Sequence, residues 1–378
     1  MGMAQVAFAM AAPAVCMPAI SQQLHMTPAE EGIFLSASFW GLSLAVLAAG
    51  PLADRIGFRA ILSTSALFTA GGLAAISLAS AQATVWAGGF ILGVGAGMSD
   101  ALLTPLVCLL YPQRRIRTAN LLHAFYPIGL ILTIAIILWL RGLGLAWPAS
   151  LQALAVLALP YGLAMALLPL PGQSHQGPMR LKTRELFRKS VFLLLLASIF
   201  LAGATELGPA SWLPKYVETI AGSSARGAMG LMLFGATMAA GRLGATAVVH
   251  RLGARLVFIA GAATCVVALL AAAISSDSLV TIITLSLVGL GVSCLWPTVI
   301  ACAGDKYPQA GASMFSALSA LGNFGGVVAP IMIGLVAEQT HSINAGIAAL
   351  AIAPALAILA MAHLLSGRQR PSASNYTS

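Results

Sequence analysis

The stretch Gly50-Pro51-Leu52-Ala53-Asp54-Arg55-Ile56-Gly57-Phe58-Arg59 decides the fold, because it places charges between two long apolar runs. Three of its ten residues are charged, whereas the flanking runs at about 32–53 and 60–79 are apolar. Charges at this density are costly in hydrocarbon, so we expect the stretch in water between two membrane-spanning helices. Gly57 suits a tight reversal there, because a residue without a Cβ adopts a positive φ at little cost.

The composition assigns the whole chain to the membrane. Hydrophobic residues make up 59% of the 378 residues and charged residues only 8%, against roughly 25% charged residues in soluble domains. The net charge of +9 would fit nucleic-acid binding, but no long polar domain carries a basic surface, so no nucleic-acid partner is expected. The five cysteines lie in apolar runs without ligand-like spacing, so we expect no disulfide, metal site or cofactor.

Twelve apolar runs are long enough to span a bilayer, which takes about 20 residues per helix. Their approximate limits are 3–24, 32–53, 60–79, 84–111, 119–140, 146–168, 190–214, 226–249, 255–275, 279–303, 310–336 and 343–365. The sequence therefore predicts an all-α integral membrane protein. We expect a six-helix bundle at 1–168, a basic linker at 169–189, a second six-helix bundle at 190–366 and a polar tail at 367–378.

The basic residues predict the orientation. Of the 19 Lys and Arg residues, 15 fall in even-numbered loops or the C-terminal tail. Three fall in odd-numbered loops (Arg141, Lys215 and Arg226), and Arg242 lies inside the eighth helix. Cytoplasmic loops carry the excess of Lys and Arg. We therefore expect both termini and the linker on the cytoplasmic side of the cell inner membrane.

The two halves repeat at a constant offset of 196 residues. Pro13 and Pro18 correspond to Pro209 and Pro214, and Tyr111-Pro112-Gln113 corresponds to Tyr307-Pro308-Gln309. The loop residues Arg55, Gly57 and Arg59 correspond to Arg251, Gly253 and Arg255. A parallel repeat of this kind is typical of transporters that hold their solute near the bilayer midplane, between the two halves.

On these residues the chain resembles the major facilitator superfamily. The opening stretch fills nearly every position of that family's loop 2–3 signature, Gly-x-Leu-Ala-Asp-Arg-x-Gly-x-Arg/Lys. The resemblance implies two six-helix halves, alternating access, and a cytoplasmic latch between this loop and the start of the eleventh helix. The implied gating residues are Asp54, Arg55, Gly57 and Arg59, with Arg251, Gly253 and Arg255 in the second half.

Two of the ten acidic residues lie deep in predicted helices, Asp100 in the fourth and Glu206 in the seventh. Ionisable groups inside a membrane are costly, so they are functional candidates by default. Gly93, Gly97 and Thr104 share one helical face with Asp100, which predicts that this face points at the bundle interior or a water-filled cavity. Both carboxylates could be structural hydrogen-bonding groups, but we favour a role in proton coupling or substrate binding.

Further polar and aromatic residues are candidates for the substrate cavity. The serine and asparagine on the eleventh helix form a polar stripe, for which helix–helix hydrogen bonding is the competing interpretation. The two tryptophans could stack on a sugar-like solute, although lone tryptophans are often packing residues. These candidates are Asn120, His123, Trp212, Trp296, Ser319 and Asn323.

Four short segments resemble the fucose:proton symporter branch of the superfamily. They are Asn120-Leu121-Leu122-His123-Ala124-Phe125, Gly129, the segment from Glu206 to Trp212, and Trp296-Pro297-Thr298. In that branch an acidic residue stands at the position of Asp100, and a polar residue at the position of His123 helps to bind sugar. The resemblance implies sugar transport with protons. The chain departs from the branch in its first helix, which has no acidic residue.

The sequence therefore predicts a secondary transporter, not an enzyme, that moves a small polar solute such as a sugar together with protons. We expect a monomer in the lipid bilayer. No Walker-type loop is present, so a gradient must supply the energy. Two alternatives stay open. One is a proton-driven drug exporter, although Gly89 stands where that class has arginine; the other is a non-transporting, sensor-like relative.

Overall fold

A computed structural model describes residues 1–111, 113–170, 183–307 and 310–366. Over these ranges the chain consists of helices and short connections, with no strand. The linker segment 171–182 and the tail 367–378 lie outside the described residues. The backbones of Asp54 and Asn120 are helical, but their side chains also lie outside the described part.

The first half contains six helices. They are α1 Gly2–Leu24, α2 Pro28–Ala53, α3 Arg55–Ser77, α4 Gln82–Leu110, α5 Arg115–Gly142 and α6 Trp147–Leu167. Each has more than 20 residues, which at 1.5 Å per residue is enough to cross a hydrocarbon core of about 30 Å.

The second half repeats this arrangement after a single helical turn at Thr183–Leu186. Its helices are α7 Ser190–Ala221, α8 Ser224–Leu252, α9 Ala254–Ile274, α10 Ser278–Lys306, α11 Gly311–Thr340 and α12, which joins Ile343–Leu350 to Ile352–Ser366. Within the described residues, 11 helices are long and apolar enough to span a membrane. The remaining helix, α8, is not one of these 11 and carries three arginines. The predicted twelve-helix, all-α fold is confirmed.

Several helices extend beyond the predicted runs, among them α2 and α7. α2 starts at Pro28 rather than at residue 32, because Thr27 and Glu30 form a capping box and proline suits the first helical turn. α7 runs to Ala221 rather than to residue 214, and Gly222 ends it with a φ of 62°. Lys215, which we expected in a loop, therefore lies inside α7.

The two halves reverse direction in the same way at equivalent positions. Gly57 has φ 85° and ψ 161°, and Gly253 has φ 80° and ψ 150°. Tyr111 and Tyr307, also 196 residues apart, end α4 and α10 with nearly equal angles (φ −127°, ψ 65° and φ −132°, ψ 59°). Residues with a Cβ avoid the conformation of the two glycines, so both reversals depend on glycine.

The halves contact each other at the end of the bundle that carries the odd-numbered loops, here called the odd-loop end. Ser36 Oγ of α2 donates to the carbonyl oxygen of Val327 in α11 at 2.7 Å. The backbone N–H of Ala29 donates to Glu338 Oε2 at 2.9 Å. A third contact joins α2 to α7, where Lys215 Nζ lies 2.6 Å from Glu31 Oε1. The bundle is therefore closed at this end.

Candidate functional site

A narrow cavity lies between the two halves, at the level of the middle of α1, α7 and α8. The first half lines it from α1 and α5, and the second half from α7 and α8. The lining residues are Met10, Tyr126 and Leu130, then Glu206, Leu207, Ala210, Ser211, Leu231, Phe234 and Met238. A cavity walled by both halves is what alternating access requires of a solute site.

Glu206 is the acidic residue of this cavity and is paired with Arg242. Glu206 is only 7% exposed. Arg242 Nη2 donates to Glu206 Oε1 at 3.2 Å, which joins α8 to α7. Arg242 Nε is buried and has no hydrogen-bond partner among the described residues. Because charges are poorly solvated here, the two groups are held next to each other by their opposite signs.

Asp100 and His123 form a second polar group, in the first half. His123 Nε2 of α5 is 3.0 Å from Thr104 Oγ1 of α4. Asp100 lies one turn before Thr104 and within electrostatic reach of His123. Tyr126, which lines the cavity, lies within electrostatic reach of both Asp100 and Glu206. Both predicted intramembrane carboxylates therefore lie within electrostatic reach of Tyr126.

The α4 face that carries Asp100 is not open along its whole length. A Cβ at Gly97 would lie 2.5 Å from the carbonyl oxygen of Leu42, and one at Gly93 would collide with the backbone of Ser38. Of the two expected surroundings of this face, the bundle interior or a cavity, its glycine end lies in the bundle interior, against α2. Gly93 and Gly97 instead let α2 and α4 pack backbone to backbone, as small residues do in membrane bundles.

α7 continues through Pro209 at the level of the cavity. Proline has no N–H to donate to the carbonyl of Thr205, the residue before Glu206. Hydroxyls on either side bond back to the helix: Thr205 Oγ1 donates to Leu201 O at 2.7 Å and Ser211 Oγ to Leu207 O at 2.6 Å. Glu206 therefore lies beside a spare backbone acceptor in an otherwise regular helix.

The two tryptophans proposed for solute stacking take part in helix packing. Trp212 is fully buried, and its indole N–H donates to the carbonyl of Pro330 in α11 at 3.1 Å. The half-buried ring of Trp296 packs against Gly322. Neither residue lines the cavity. The expectation for Trp212 is corrected accordingly, because α7 and α11 approach so closely that they enclose its whole side chain.

The polar stripe of α11 remains accessible. Ser319 and Asn323 are half-exposed, and no hydrogen bond to another described residue holds either side chain. His123 is exposed on α5. Asn120, one turn earlier on the same helix, has no described side chain. His123, Ser319 and Asn323 are therefore not fully buried in helix contacts.

The loop residues predicted to act in gating lie at the opposite, even-loop end. Arg55, Arg251 and Arg255 are exposed. Arg59 Nη2 donates to the carbonyl of Leu168, just after α6, at 2.9 Å. Since the Asp54 side chain lies outside the described part, its predicted contact with the start of α11 stays a prediction.

Sequence reasoning did not single out Arg242, Tyr126 or the pair of Glu31 and Lys215. Arg242 had a visible signal, because a basic residue far from the ends of an apolar helix needs a partner. Glu31 is only 2% exposed. The Thr27-Pro28-Ala29-Glu30 pattern could have shown that the helix starts early enough to contain it. Tyr126 had no comparable signal.

A metal site would need several ligands close together. Among the described residues, no group of three or more His, Cys, Asp or Glu comes together. Asp100 and His123 supply two candidate ligands, whereas protein metal sites usually offer at least three. The arrangement of ionisable groups is suited instead to exchanging protons and binding a charged or polar solute.

Comparisons with known sequences agree with this architecture. Two overlapping matches to the sequence profile of the Major Facilitator Superfamily cover residues 1–330 and 231–377. An uncharacterized MFS-type transporter of Yersinia pestis is 25% identical over 332 residues, which make up 87% of this chain and 85% of that protein. The niacin transporter NiaP of Acinetobacter baylyi is 32% identical over 117 residues, which make up 31% of this chain and 27% of that protein.

Solved structures share the fold at low sequence identity. A mutant of the nucleoside transporter NupG has a TM-score of 0.79 and 12% identity, with 96% of this chain and 98% of that chain covered. The D-xylose-proton symporter has a TM-score of 0.79 and 12% identity, with 96% and 95% covered. These relatives are transporters and not enzymes. The profile matches extend from residue 1 to residue 377, and the chain belongs to the Major Facilitator Superfamily.

Proposed function

We propose that this protein is a secondary transporter that moves a small polar organic solute together with protons by alternating access. The observation that carries the proposal is the ion pair of Glu206 and Arg242 beside a cavity lined by both halves. Charged groups inside membranes mark substrate, ion or proton pathways. A nearly enclosed carboxylate held by one 3.2 Å contact is suited to gain and lose a proton as the cavity opens to either side.

The charge on Glu206 determines how strongly it holds Arg242. The ionised carboxylate attracts the guanidinium strongly, because Coulomb attraction rises as the local dielectric constant falls. The protonated carboxyl keeps at most a weaker hydrogen bond, and Arg242 is then free to interact with a solute. Asp100, near His123, is a second proton acceptor in the same region. Either carboxylate can therefore carry the coupled proton.

The solute class is supported by the cavity and by the relatives. The lining offers only a few polar groups, among them Tyr126, Glu206 and Ser211, so it can satisfy only a few polar atoms of a solute. Similar proteins are named for the transport of niacin, nucleosides and xylose, all of which are small polar organic molecules. A sugar belongs to this class, as the fucose:proton symporter-like segments imply.

In this proposal the odd-loop end faces away from the cytoplasm. The even-numbered loops and the tail carry 15 of the 19 basic residues, so they lie in the cytoplasm. A bundle closed at the odd-loop end is then an inward-facing state. We further propose that the protein works as a monomer in the inner membrane, since one chain supplies both walls of the cavity.

Uptake into proteoliposomes tests the proposal. The purified chain is assayed with sugars, sugar acids, nicotinate and drugs, with and without a pH gradient. We expect the wild-type protein to accumulate at least one solute against its gradient, and Glu206→Gln and Asp100→Asn not to do so. Solute exchange without net proton movement should survive in the variant whose carboxylate serves only the proton.

Glu185→Gln is the matched control, because Glu185 is an exposed carboxylate outside the spanning helices. Wild-type accumulation by both Glu206→Gln and Asp100→Asn would overturn proton coupling through these residues. Proton-driven extrusion of drugs without solute uptake would favour the exporter alternative. Absence of transport across the whole panel would favour the sensor-like relative.

A further inference from the structure

Arg242 keeps part of its guanidinium unused. Of its five N–H donors, Nη2 is paired with Glu206 at 3.2 Å, whereas Nε is buried without a partner among the described residues. Nε and Nη2 lie on the same edge of the guanidinium. This edge can bind a carboxylate through two parallel hydrogen bonds. Glu206 therefore occupies with a single bond an edge that can form two.

The wall of the cavity beside the Glu206–Arg242 pair is mostly apolar. Besides Tyr126, Glu206 and Ser211, it consists of Met10, Leu130, Leu207, Ala210, Leu231, Phe234 and Met238. A polyhydroxylated sugar would leave most of its hydroxyls without partners here, and polar groups buried without hydrogen bonds are costly. The wall matches a small solute with an apolar body and one charged group.

We propose that the solute is a small organic monocarboxylate, and that its carboxylate takes the Nε–Nη2 edge of Arg242 once Glu206 is protonated. This inference rests on the proposed proton-coupled transport and names the solute class of that same site. The solute carboxylate and Glu206 compete for the same edge of Arg242. The solute therefore binds only when Glu206 is protonated and no longer pairs with the guanidinium.

The charges around Arg242 explain why the proton is needed. The titratable and charged groups within electrostatic reach of Glu206 or Arg242 are Tyr126, Cys265 and His123, and Asp100 lies within reach of Tyr126 and His123. With both carboxylates ionised and the imidazole neutral, two negative charges face one guanidinium and repel an incoming anion. A proton on Glu206 removes one negative charge and leaves the cation of Arg242 available.

Ligand binding to the purified full chain in lipid nanodiscs tests the proposal. The probes are benzoate, lactate and gluconate, each compared with a neutral analogue: benzamide, lactamide and glucose. We expect at least one carboxylate to bind roughly tenfold more tightly at about pH 5.5 than at about pH 7.5. Its neutral analogue should bind at least about tenfold more weakly. Benzoate should bind more tightly than gluconate, because the wall of the cavity is mostly apolar.

Variants of the pair separate the competing partners. Glutamine cannot hold a negative charge, so Glu206→Gln should bind the carboxylate at the higher pH about as tightly as the wild-type protein does at the lower pH. Arg242→Gln should lose about tenfold or more in affinity. Arg242→Lys keeps the charge but lacks the two-donor edge, so its affinity should lie between those of the wild-type protein and Arg242→Gln. Arg226→Gln, at an exposed position near the start of the same helix, is the matched control and should bind like wild type.

Three results would overturn the inference: equal binding of carboxylate and neutral analogue, wild-type affinity in Arg242→Gln, or no binding of any of the three carboxylates. If Arg242→Gln does not fold, the pH dependence of binding to Glu206→Gln decides.

The proposed function is tested separately, by uptake into proteoliposomes. A protein that accumulates a neutral sugar under a pH gradient but binds no carboxylate keeps the function and loses the inference. Carboxylate binding without gradient-driven accumulation overturns the coupling and keeps the solute class.

Discussion

Arg242 and Glu206 show what a single ion pair costs inside a membrane bundle. Removing two charges from water costs several kcal/mol per ion, and their attraction offsets this only when the geometry is good. Here one contact of 3.2 Å joins them, with the Arg242 side chain 30% exposed and that of Glu206 10% exposed. Such a pair contributes little net stability, but either partner alone would leave a poorly solvated charge.

This reasoning predicts a compensating pair of variants. Arg242→Gln alone should destabilise the protein by about 1–3 kcal/mol, less than the 3–5 kcal/mol of a fully buried pair because Arg242 is partly solvated. Arg242→Gln combined with Glu206→Gln should recover most of that loss, since no charge is left stranded. Thermal unfolding in detergent, with Arg226→Gln as control, measures the difference. Equal losses in the single and double variants would contradict the ion pair.

A second prediction concerns the accessibility of the polar stripe. Single cysteines at His123, Ser319 and Asn323 should react with water-soluble thiol reagents and be protected by a transported solute, because none of the three positions is buried. Cysteine at Ala329, which is 2% exposed on α11, is the matched control and should stay unreactive. The five native cysteines are first replaced. Complete inertness at the three sites would assign them to helix packing.

At the scale of elements, the halves close where α2 and α11 touch through their backbones. A Cβ at Gly32 would lie 2.6 Å from the carbonyl oxygen of Pro330 and 3.1 Å from Ile331 Cα. A Cβ at Gly334 would collide with Pro28. Membrane helices gain contact area in this way when a glycine removes the side chain between them. The closed odd-loop end therefore depends on these glycines.

Gly32→Ala should accordingly open the odd-loop end. The atoms in its way are backbone atoms of α11, so the new methyl must push the helix away. We expect spin-label distances between the odd-loop ends of α2 and α11 to lengthen and the state closed at this end to lose population. Gly71→Ala on α3 is the control, because a Cβ there meets nothing within 4 Å. Unchanged distances in Gly32→Ala would contradict this prediction, because they would mean that the contact between α2 and α11 accommodates the methyl group without separating the helices.

The number of helices was predictable, because bilayer thickness fixes how long an apolar run must be. The positions at which helices end at the odd-loop end were harder to predict. Pro214 resembled a helix end, but proline is tolerated inside membrane helices, and α7 continues to Ala221. The error placed Lys215 in a loop and separated it from its partner Glu31.

The site was predictable in part for a related reason. Asp100 and Glu206 could be found because a charge inside an apolar run is visible in the sequence. The partner of Glu206 could not be assigned, because the rotation of α7 against α8 depends on tertiary packing. Trp212 illustrates the same limit, since only the approach of α11 shows that its ring is enclosed.

At the scale of the whole molecule, alternating access is a competition between closing one end and closing the other. At the odd-loop end, the Glu31 carboxylate accepts hydrogen bonds from Ser21 Oγ of α1 and from Lys215 Nζ of α7. Glu338 of α11 accepts the N–H of Ala29 in the first turn of α2, where a carboxylate is favourable. The predicted counterpart at the even-loop end is the latch of Asp54.

Lys215→Gln and Asp54→Asn should therefore shift the protein in opposite directions. Without Lys215, the Glu31 side chain stays only 3% exposed and loses its cation, so the state closed at the odd-loop end is penalised relative to one in which water reaches the carboxylate. A penalty of about 1.4 kcal/mol changes the ratio of the two states roughly tenfold. Glu31→Gln added to Lys215→Gln removes the stranded charge and should restore much of the ratio.

Asp54→Asn weakens the predicted latch at the even-loop end, so it should favour the state closed at the odd-loop end and slow turnover more than it weakens solute binding. Distances between spin labels placed on both ends of the two halves measure both shifts in one set of samples. Wild-type distances in Lys215→Gln would mean that its contact with Glu31 has no part in gating. A shift of Asp54→Asn in the same direction as Lys215→Gln would mean that the loop after α2 connects two helices without latching the halves.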